Sequence, residues 1–215
     1  MGIGGDGNPQ AARDVGPLAS LLAMSTLHPL AESILDFWFA GDDAARMTRW
    51  WRKDEAVDAE IRERFAPHIP RAAAGAFDDW TTSARGALAL VILLDQMTRN
   101  AFRGDPRSWS SDAKAREVTR AAIAAGFVDA VEDAAKSFFF MPLEHAEDLA
   151  SQNECVALFE ELGKAQGKGP DYTDYAIRHR DIIARFGRFP HRNAVLGRES
   201  TPEELAFLEQ PGSSF

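Results

Sequence analysis

The sequence carries one long apolar run near its middle, ALALVILL at residues 87–94. No polar residue interrupts this run, so every face of a helix or strand built from it must be buried. A buried strand and a buried helix both fit eight apolar residues. The Ala and Leu content and the length of the segment 84–97 favour a helix. We therefore expect a central helix with other elements packed around it.

Apolar residues recur at three- and four-residue intervals through the rest of the chain from residue 27. Ser, Asp, Pro and Gly divide this pattern into separate segments. The expected helices cover about residues 27–40, 54–66, 84–97, 112–125, 130–140, 143–163 and 171–186, and a last one begins after Ser200. Sustained alternation of β-branched residues, which is typical of strands, does not occur. The chain is therefore predicted to be all-α, with seven to nine helices.

The length of 215 residues suits one domain that can bury its core without a disulfide or a metal. Residues 1–26 begin glycine-rich and do not share the helical pattern. We expect them to be a disordered leader, or the true start to be Met24, with residues 1–23 lying before it. Residues 27–210 are predicted to form a single helical domain, and residues 211–215 a tail.

The charge balance argues against several classes of partner. The chain has 33 acidic and 24 basic residues and a formal net charge of −9, which is unlike a general binder of nucleic acid or of anionic membranes. No stretch of 18 apolar residues is present, so no membrane span is predicted, and we expect a cytoplasmic protein. The single cysteine, Cys155, excludes a disulfide framework and a cysteine-based zinc module. No motif for a metal or a cofactor is found, and none is predicted.

Polar side chains stand where the helical pattern calls for apolar ones. His179 lies on the apolar stripe of the helix expected at 171–186, and His145 and Gln152 lie on the stripe of the helix expected at 143–163. Burying such groups costs about 1–3 kcal/mol each unless hydrogen-bond partners are supplied. We therefore expect them to meet one another, the backbone, water or a ligand.

A second polar group follows the central run. Asp95 and Gln96 end the run, and the motif RNAFRG at 99–104 comes directly after it. This motif aligns without gaps with RNAVLG at 192–197, and each copy follows a helix end and precedes a Ser-containing helix start. The two copies suggest duplicated helix-turn-helix units of the kind that build α-solenoids.

Two interpretations of these polar groups stay open. In the first, they form an internal hydrogen-bonded network that joins helix ends to loops. In the second, they converge on a pocket where Arg side chains clamp a carboxylate or phosphate and a His gives or takes a proton.

Four segments resemble a widespread bacterial family, the domain-of-unknown-function family 924. They are ILDFWF (34–39), LLDQMTRNAFRG (93–104), MPLEHAEDLASQ (141–152) and FGRFPHRNAVLGRESTPEE (186–204), and the resemblance spans roughly residues 28–208. It implies a right-handed array of helices similar to tetratricopeptide-repeat (TPR) proteins, and it brings no activity, substrate or cofactor. The family's signature positions fall on Asp95, Gln96, Arg99, Asn100, Glu144, His145, Gln152, His179, Gly187, Arg188, Pro190, His191, Arg192 and Asn193.

These observations predict a helical binding domain with a polar pocket for a small anionic ligand or a peptide segment of a partner. The alternatives are an enzyme that uses His145 or His179 as general acid or base, and a structural domain whose polar network is purely internal. A homo-oligomer is left open. The candidate ligand-binding residues are Asp95, Gln96, Arg99, Asn100, Glu144, His145, Gln152, His179, His191, Arg192 and Asn193.

Overall fold

Helices joined by short turns make up the part of the chain that the computed structural model describes, residues 27–166 and 172–214, and these residues contain no strand. The α-helices are α1 (Pro29–Trp38), α2 (Asp43–Trp51), α3 (Glu55–Arg64), α4 (Ile69–Ala73), α5 (Ala84–Val91), α6 (Thr98–Ala101), α7 (Asp112–Ala124), α8 (Asp133–Glu144), α9 (Leu149–Gln166), α10 (Thr173–Phe186) and α11 (Pro202–Leu208). The all-α prediction is confirmed. The predicted leader, residues 1–26, lies outside the described residues.

The apolar run lies in the middle of one continuous helical stretch. A π-helical turn, Ile92–Met97, joins α5 to α6 without a break. The residues of the run are buried, and α5 packs against α1, α7 and α8. Since α5 and α6 form one stretch, the described residues hold ten separate helices, and the predicted number of seven to nine is wrong.

The additional helices are short or polar. In α2 no residue is buried, and its large apolar residues, Met47, Trp50 and Trp51, are confined to its second half, so the apolar pattern is too short to define the helix. Helix α4 has only five residues and follows a short 3-10 turn that contains Pro67, while Pro70 lies in its own first turn. The two prolines therefore end α3, as expected, but the chain resumes a helix straight after them.

The boundary between α8 and α9 differs from the predicted one. Helix α8 does not end at the FFFMP block but continues through Pro142 to Glu144, because the packing of buried residues around the proline outweighs its lost hydrogen bond. Helix α9 begins at Leu149 rather than at residue 143. Asp148 sets this start, since its carboxylate accepts from the Ser151 amide at 2.7 Å. His145 therefore lies at the C-terminal end of α8 and not on α9.

The loop between α10 and α11 is held by two carboxylates, the partly exposed Glu147 and the buried Glu204. Glu147 accepts from the Phe189 amide at 2.9 Å and pairs with the Arg198 guanidinium at 2.6 Å. Glu204 forms a capping box with Thr201 at the start of α11 and binds Arg188 at 2.6 Å. These contacts fix the backbone on both sides of the 3-10 turn Pro190–Arg192.

One buried carboxylate ties α3 to α6. Asp58 accepts from the Asn100 amide at 2.8 Å and from Arg103 Nε at 2.8 Å, and its side chain is only 4% exposed. Asn100 is buried as well. Removing the carboxylate would leave a buried amide and a guanidinium without their acceptor.

Replacing Asp58 by Ala is therefore expected to lower the free energy of unfolding by about 3 kcal/mol, because unpaired buried donors are costly. Urea denaturation followed by circular dichroism measures this change. Glu63→Ala on the exposed face of α3 is the matched control and should shift the stability by less than about 0.5 kcal/mol. Equal stability of the two variants would contradict the proposed role of Asp58.

Candidate functional site

A cavity of about 810 Å³ opens between the end of the central helical stretch, the end of α8, α10 and the end of α2. Small-molecule sites usually have volumes of about 300–1,000 Å³. Aromatic rings, basic side chains and histidines dominate its wall, which is formed by Met47, Trp50, Trp51, Arg52, Lys53, Gln96, Arg99, Asn100, Arg103, Gly104, Ser108, Trp109, Ser137, Met141, Glu144, His145, Phe159, Tyr172, Tyr175, His179, His191, Arg192 and Ser214.

The cavity brings together most of the predicted site residues. Eight of the eleven line it: Gln96, Arg99, Asn100, Glu144, His145, His179, His191 and Arg192. The other three, Asp95, Gln152 and Asn193, are buried outside its lining. Residues far apart in sequence therefore meet at one place, and their part in binding stays a prediction.

Asp95 does not line the cavity but contacts three residues that do, Gln96, Arg99 and His145. It lies in the π-helical turn and is completely buried. Its carboxylate pairs with Arg99 Nη1 at 2.9 Å and accepts from Gln96 Nε2 at 2.6 Å. Burial opposes ionisation of Asp95, but the charge of Arg99 and the hydrogen bonds from His145 and Gln96 outweigh it and hold the pKa of this carboxyl well below its usual range. Asp95 is therefore a permanent buried anion.

The orientation of His145 follows from Asp95. His145 Nδ1 lies 2.9 Å from one carboxylate oxygen of Asp95 and 3.0 Å from the other, so this nitrogen carries the proton and donates it. Burial and the nearby charge of Arg99 lower the pKa of His145, although Asp95 acts in the opposite direction. The ring is thus neutral at pH 7, with Nε2 as its basic nitrogen.

A second carboxylate–histidine pair lies beside the first. His179 Nδ1 is 3.0 Å from Glu144 Oε1 and 2.8 Å from the carbonyl oxygen of Tyr175. Because Glu144 and His145 are consecutive at the end of α8, the two imidazole rings come to 6.2 Å between centroids. No group of three His, Cys, Asp or Glu side chains in the described residues has the arrangement of a metal site.

Two of the arginines on the wall are neutralised by carboxylates. The two terminal nitrogens of Arg99, Nη1 and Nη2, donate to Asp112 at 3.1 Å, in addition to the pair with Asp95. Arg103 is paired with Asp58 on α3. These two cations are therefore already occupied by protein groups.

Arg192 differs from them, because no carboxylate in the described residues forms an ion pair with it. The residue is only 5% exposed, and the one hydrogen bond that its guanidinium makes to the described residues runs from Nη1 to the carbonyl oxygen of His145 at 3.1 Å. Its buried Nε has no acceptor. The guanidinium instead lies 4.3 Å from the ring centroid of Phe189 and 5.5 Å from that of Trp109. Burial, and then the charge of Arg99, lower the pKa of Arg192 to about 10, so it remains a cation at pH 7.

The two Arg-Asn motifs have parallel placements. In each copy the arginine lines the cavity, and the following asparagine is buried and donates to a carboxylate of another helix. Asn100 donates to Asp58 on α3 at 2.8 Å, and Asn193 donates to Glu204 on α11 at 3.3 Å. Each asparagine thus anchors the backbone next to its arginine.

Gln152 has a structural role. Its amide donates to the carbonyl oxygens of Glu144 at 2.6 Å and Ala146 at 2.8 Å, and so binds the end of α8 to α9. Its position on the stripe of α9 was predicted correctly, whereas that of His145 was not.

The outer part of the wall was missed by the sequence reasoning. Trp50 and Trp51 at the end of α2, and Tyr172 and Tyr175 at the start of α10, line the cavity but were not candidates. A signal was present in Met47, Trp50 and Trp51, whose spacing of three and four residues places them on one face of α2. None of the helices among the described residues has the length and hydropathy needed to cross a membrane.

Comparison with known proteins gives two matches and one negative result. The model of a bacterial family described as a protein of unknown function (DUF924) matches residues 34–212, which confirms the resemblance seen in the sequence. The solved structure of a protein of unknown function from Agrobacterium tumefaciens is similar, with 42% sequence identity and a TM-score of 0.75, over 84% of this chain and 97% of that one. The search among curated proteins found no match.

The stability of the protein is expected to fall as the pH drops from about 6.5 to 4. Burial, and then the charges of Arg192 and His179, lower the pKa of His191 to about 4, whereas an unfolded histidine titrates near 6.5. Between these values the unfolded state binds more protons, so unfolding becomes easier on acidification. His191→Gln removes one such group and should reduce this slope by up to ~1.4 kcal/mol per pH unit.

Urea titrations at pH 4.5, 5.5, 6.5 and 8 measure this dependence. The value at pH 8, where both states carry a neutral histidine, corrects for effects of the substitution that do not involve the proton. Parallel profiles for the wild type and His191→Gln would contradict the assignment.

Proposed function

The chain belongs to the bacterial DUF924 family of proteins of unknown function, and we propose that it is a helical binding protein whose cavity takes a small organic anion. The observation that carries the proposal is Arg192, a buried cation on the cavity wall without a carboxylate partner in the described structure. Asp112, Glu147 and Asp95 act on Arg192 only from a distance, without a direct ion pair. A buried charge without a direct counter-charge is costly, and a ligand anion would supply one.

The free donors of Arg192 match the chemistry of a carboxylate or phosphate. A guanidinium has five N–H groups in a rigid fork, and within the described residues only one nitrogen of the Arg192 guanidinium makes a hydrogen bond. A bidentate anion would satisfy two further donors and neutralise the charge. Arg99 adds positive charge nearby but is held by Asp95 and Asp112.

Two further expectations from the sequence are included in this proposal. We propose that the helices form a TPR-like array and that the protein lies in the cytoplasm. A peptide segment with an anionic group is the alternative ligand, and the size of the cavity, about 810 Å³, favours the small molecule.

A second candidate function is acid–base catalysis on the bound anion. It is favoured by the Asp95–His145 pair, in which a buried carboxylate fixes the proton on Nδ1 and leaves Nε2 of a neutral imidazole as a base. The adjacent Glu144–His179 pair supplies a second group for proton transfer at the same cavity.

Replacing Arg192 by Met separates binding from stability. We expect binding of acetate or phosphate, measured by the rise in melting temperature at millimolar ligand, to fall at least tenfold in affinity. The free energy of unfolding without ligand should change by no more than about 1 kcal/mol, since an uncompensated buried charge is removed. If the polar groups instead form a purely internal network, the free energy of unfolding should fall by about 3–5 kcal/mol.

Arg107→Gln is the matched control, because Arg107 is an exposed arginine paired with Asp105 and does not line the cavity. Its anion affinity should equal that of the wild type. Arg192→Lys keeps the charge but not the fork and should bind with intermediate affinity. Unchanged binding in Arg192→Met would rule out the proposed site.

Turnover distinguishes the second candidate from the first. Anions that bind are incubated with the protein, and their conversion is followed by proton NMR. If the protein is an enzyme, His145→Gln should lose conversion by 100-fold or more while binding persists. If the wild type converts none of the ligands that it binds, the catalytic function is ruled out and only the binding function remains.

A further inference from the structure

The mouth of the cavity concentrates exposed apolar side chains. The described residues have five large hydrophobic side chains with substantial exposure, and three of them line this one cavity: Met47 (50%), Trp51 (39%) and Tyr175 (54%). The other two, Leu149 and Leu205, do not line it. Apolar groups gathered at one concave site, rather than scattered singly, mark a binding surface.

Two of the aromatic rings at this mouth, those of Trp51 and Tyr172, contact rings of the core. The indole of Trp51 lies nearly parallel to the buried ring of Phe138, at 10° and 6.2 Å between centroids. Tyr172 approaches Trp51 to 5.8 Å and also contacts Phe159 at 5.8 Å. Rings that are fixed before binding cost little entropy when a ligand packs on them.

The aromatic and the cationic parts of the cavity come from different elements. The aromatic part is built from α2 and the start of α10, whereas Arg192 is supplied by the 3-10 turn before α11. Arg52 and Lys53, which follow the aromatic pair, are exposed and form no ion pair with a carboxylate in the described residues. They add positive potential where an anion would enter.

We infer that the ligand is an aryl anion, a flat aromatic group that carries a carboxylate or phosphate, with the anion on Arg192 and the ring against Trp51, Tyr172 and Tyr175. This inference rests on the proposed anion site and adds the chemical class of the ligand. A purely aliphatic anion would fill the apolar part but would lack the stacking and edge contacts that aromatic pairs prefer.

Four probes of equal charge test the inference by calorimetric titration: acetate, cyclohexylacetate, phenylacetate and 1-naphthylacetate. We expect 1-naphthylacetate to bind at least tenfold more tightly than cyclohexylacetate, and acetate to bind most weakly. In Trp51→Leu the affinity for 1-naphthylacetate should fall about tenfold, while that for acetate stays within twofold. Trp51→Phe should recover most of the loss, because it restores a ring.

Leu205→Ala is the matched control, since it removes an exposed apolar side chain outside the cavity. Equal affinity for the cyclohexyl and naphthyl probes, or unchanged naphthyl binding in Trp51→Leu, would overturn the inference. Acetate binding that still depends on Arg192 would then leave the proposed anion site intact. If the protein binds a peptide with an aromatic C-terminal residue but none of the four probes, both the small-anion site and the aryl-anion ligand are overturned.

Discussion

A single buried carboxylate, Asp95, determines how the polar groups of this protein are arranged. A completely buried anion is stable only when cations and donors surround it, and Asp95 obtains them from Arg99, Gln96 and His145. The first two come from its own helical stretch, but His145 comes from the end of α8. Asp95 therefore binds two elements together and, in doing so, fixes the tautomer of the histidine that faces the cavity.

The position of Asp95 depends on the π-helical turn in which it lies. The turn places Asp95 at the point where the apolar run ends, so that a charged residue enters the core directly after eight apolar ones. Such wide turns are often found at functional sites. Arg99 then carries the polar contacts outward to Asp112 at the start of α7.

Much of the site could be predicted from polar residues at apolar positions, because burial requires such groups to find partners. His179 was found in this way on the stripe of its helix, and it lies on the cavity wall. His145 also lies on the cavity wall, but the reason for which the sequence indicates it is wrong. The pattern places it on the apolar stripe of α9, whereas it lies at the end of α8. The cap provided by Asp148 was not recognised, and Pro142 suggested an earlier helix end than the packing of α8 allows.

The aromatic mouth could not be predicted by the same argument. Trp51 and Tyr175 are exposed, so they create no conflict in the helical pattern, and their meeting depends on how α2 packs near α10. The net charge of −9 also gave no sign of Arg192, since bulk composition does not show which cations lack a partner. Only the tertiary structure separates Arg192 from Arg99 and Arg103, each of which pairs with a carboxylate of another helix.

The most direct test of the account is a crystal structure of the protein soaked with 4-iodophenylacetate, with the iodine located by its anomalous scattering. We expect the carboxylate within hydrogen-bond distance of the Arg192 guanidinium and the iodine among Trp51, Tyr172 and Tyr175. A ligand seated elsewhere, or one held only by Arg52 and Lys53 with Arg192 untouched, would contradict the central claim that the buried guanidinium is the anion site.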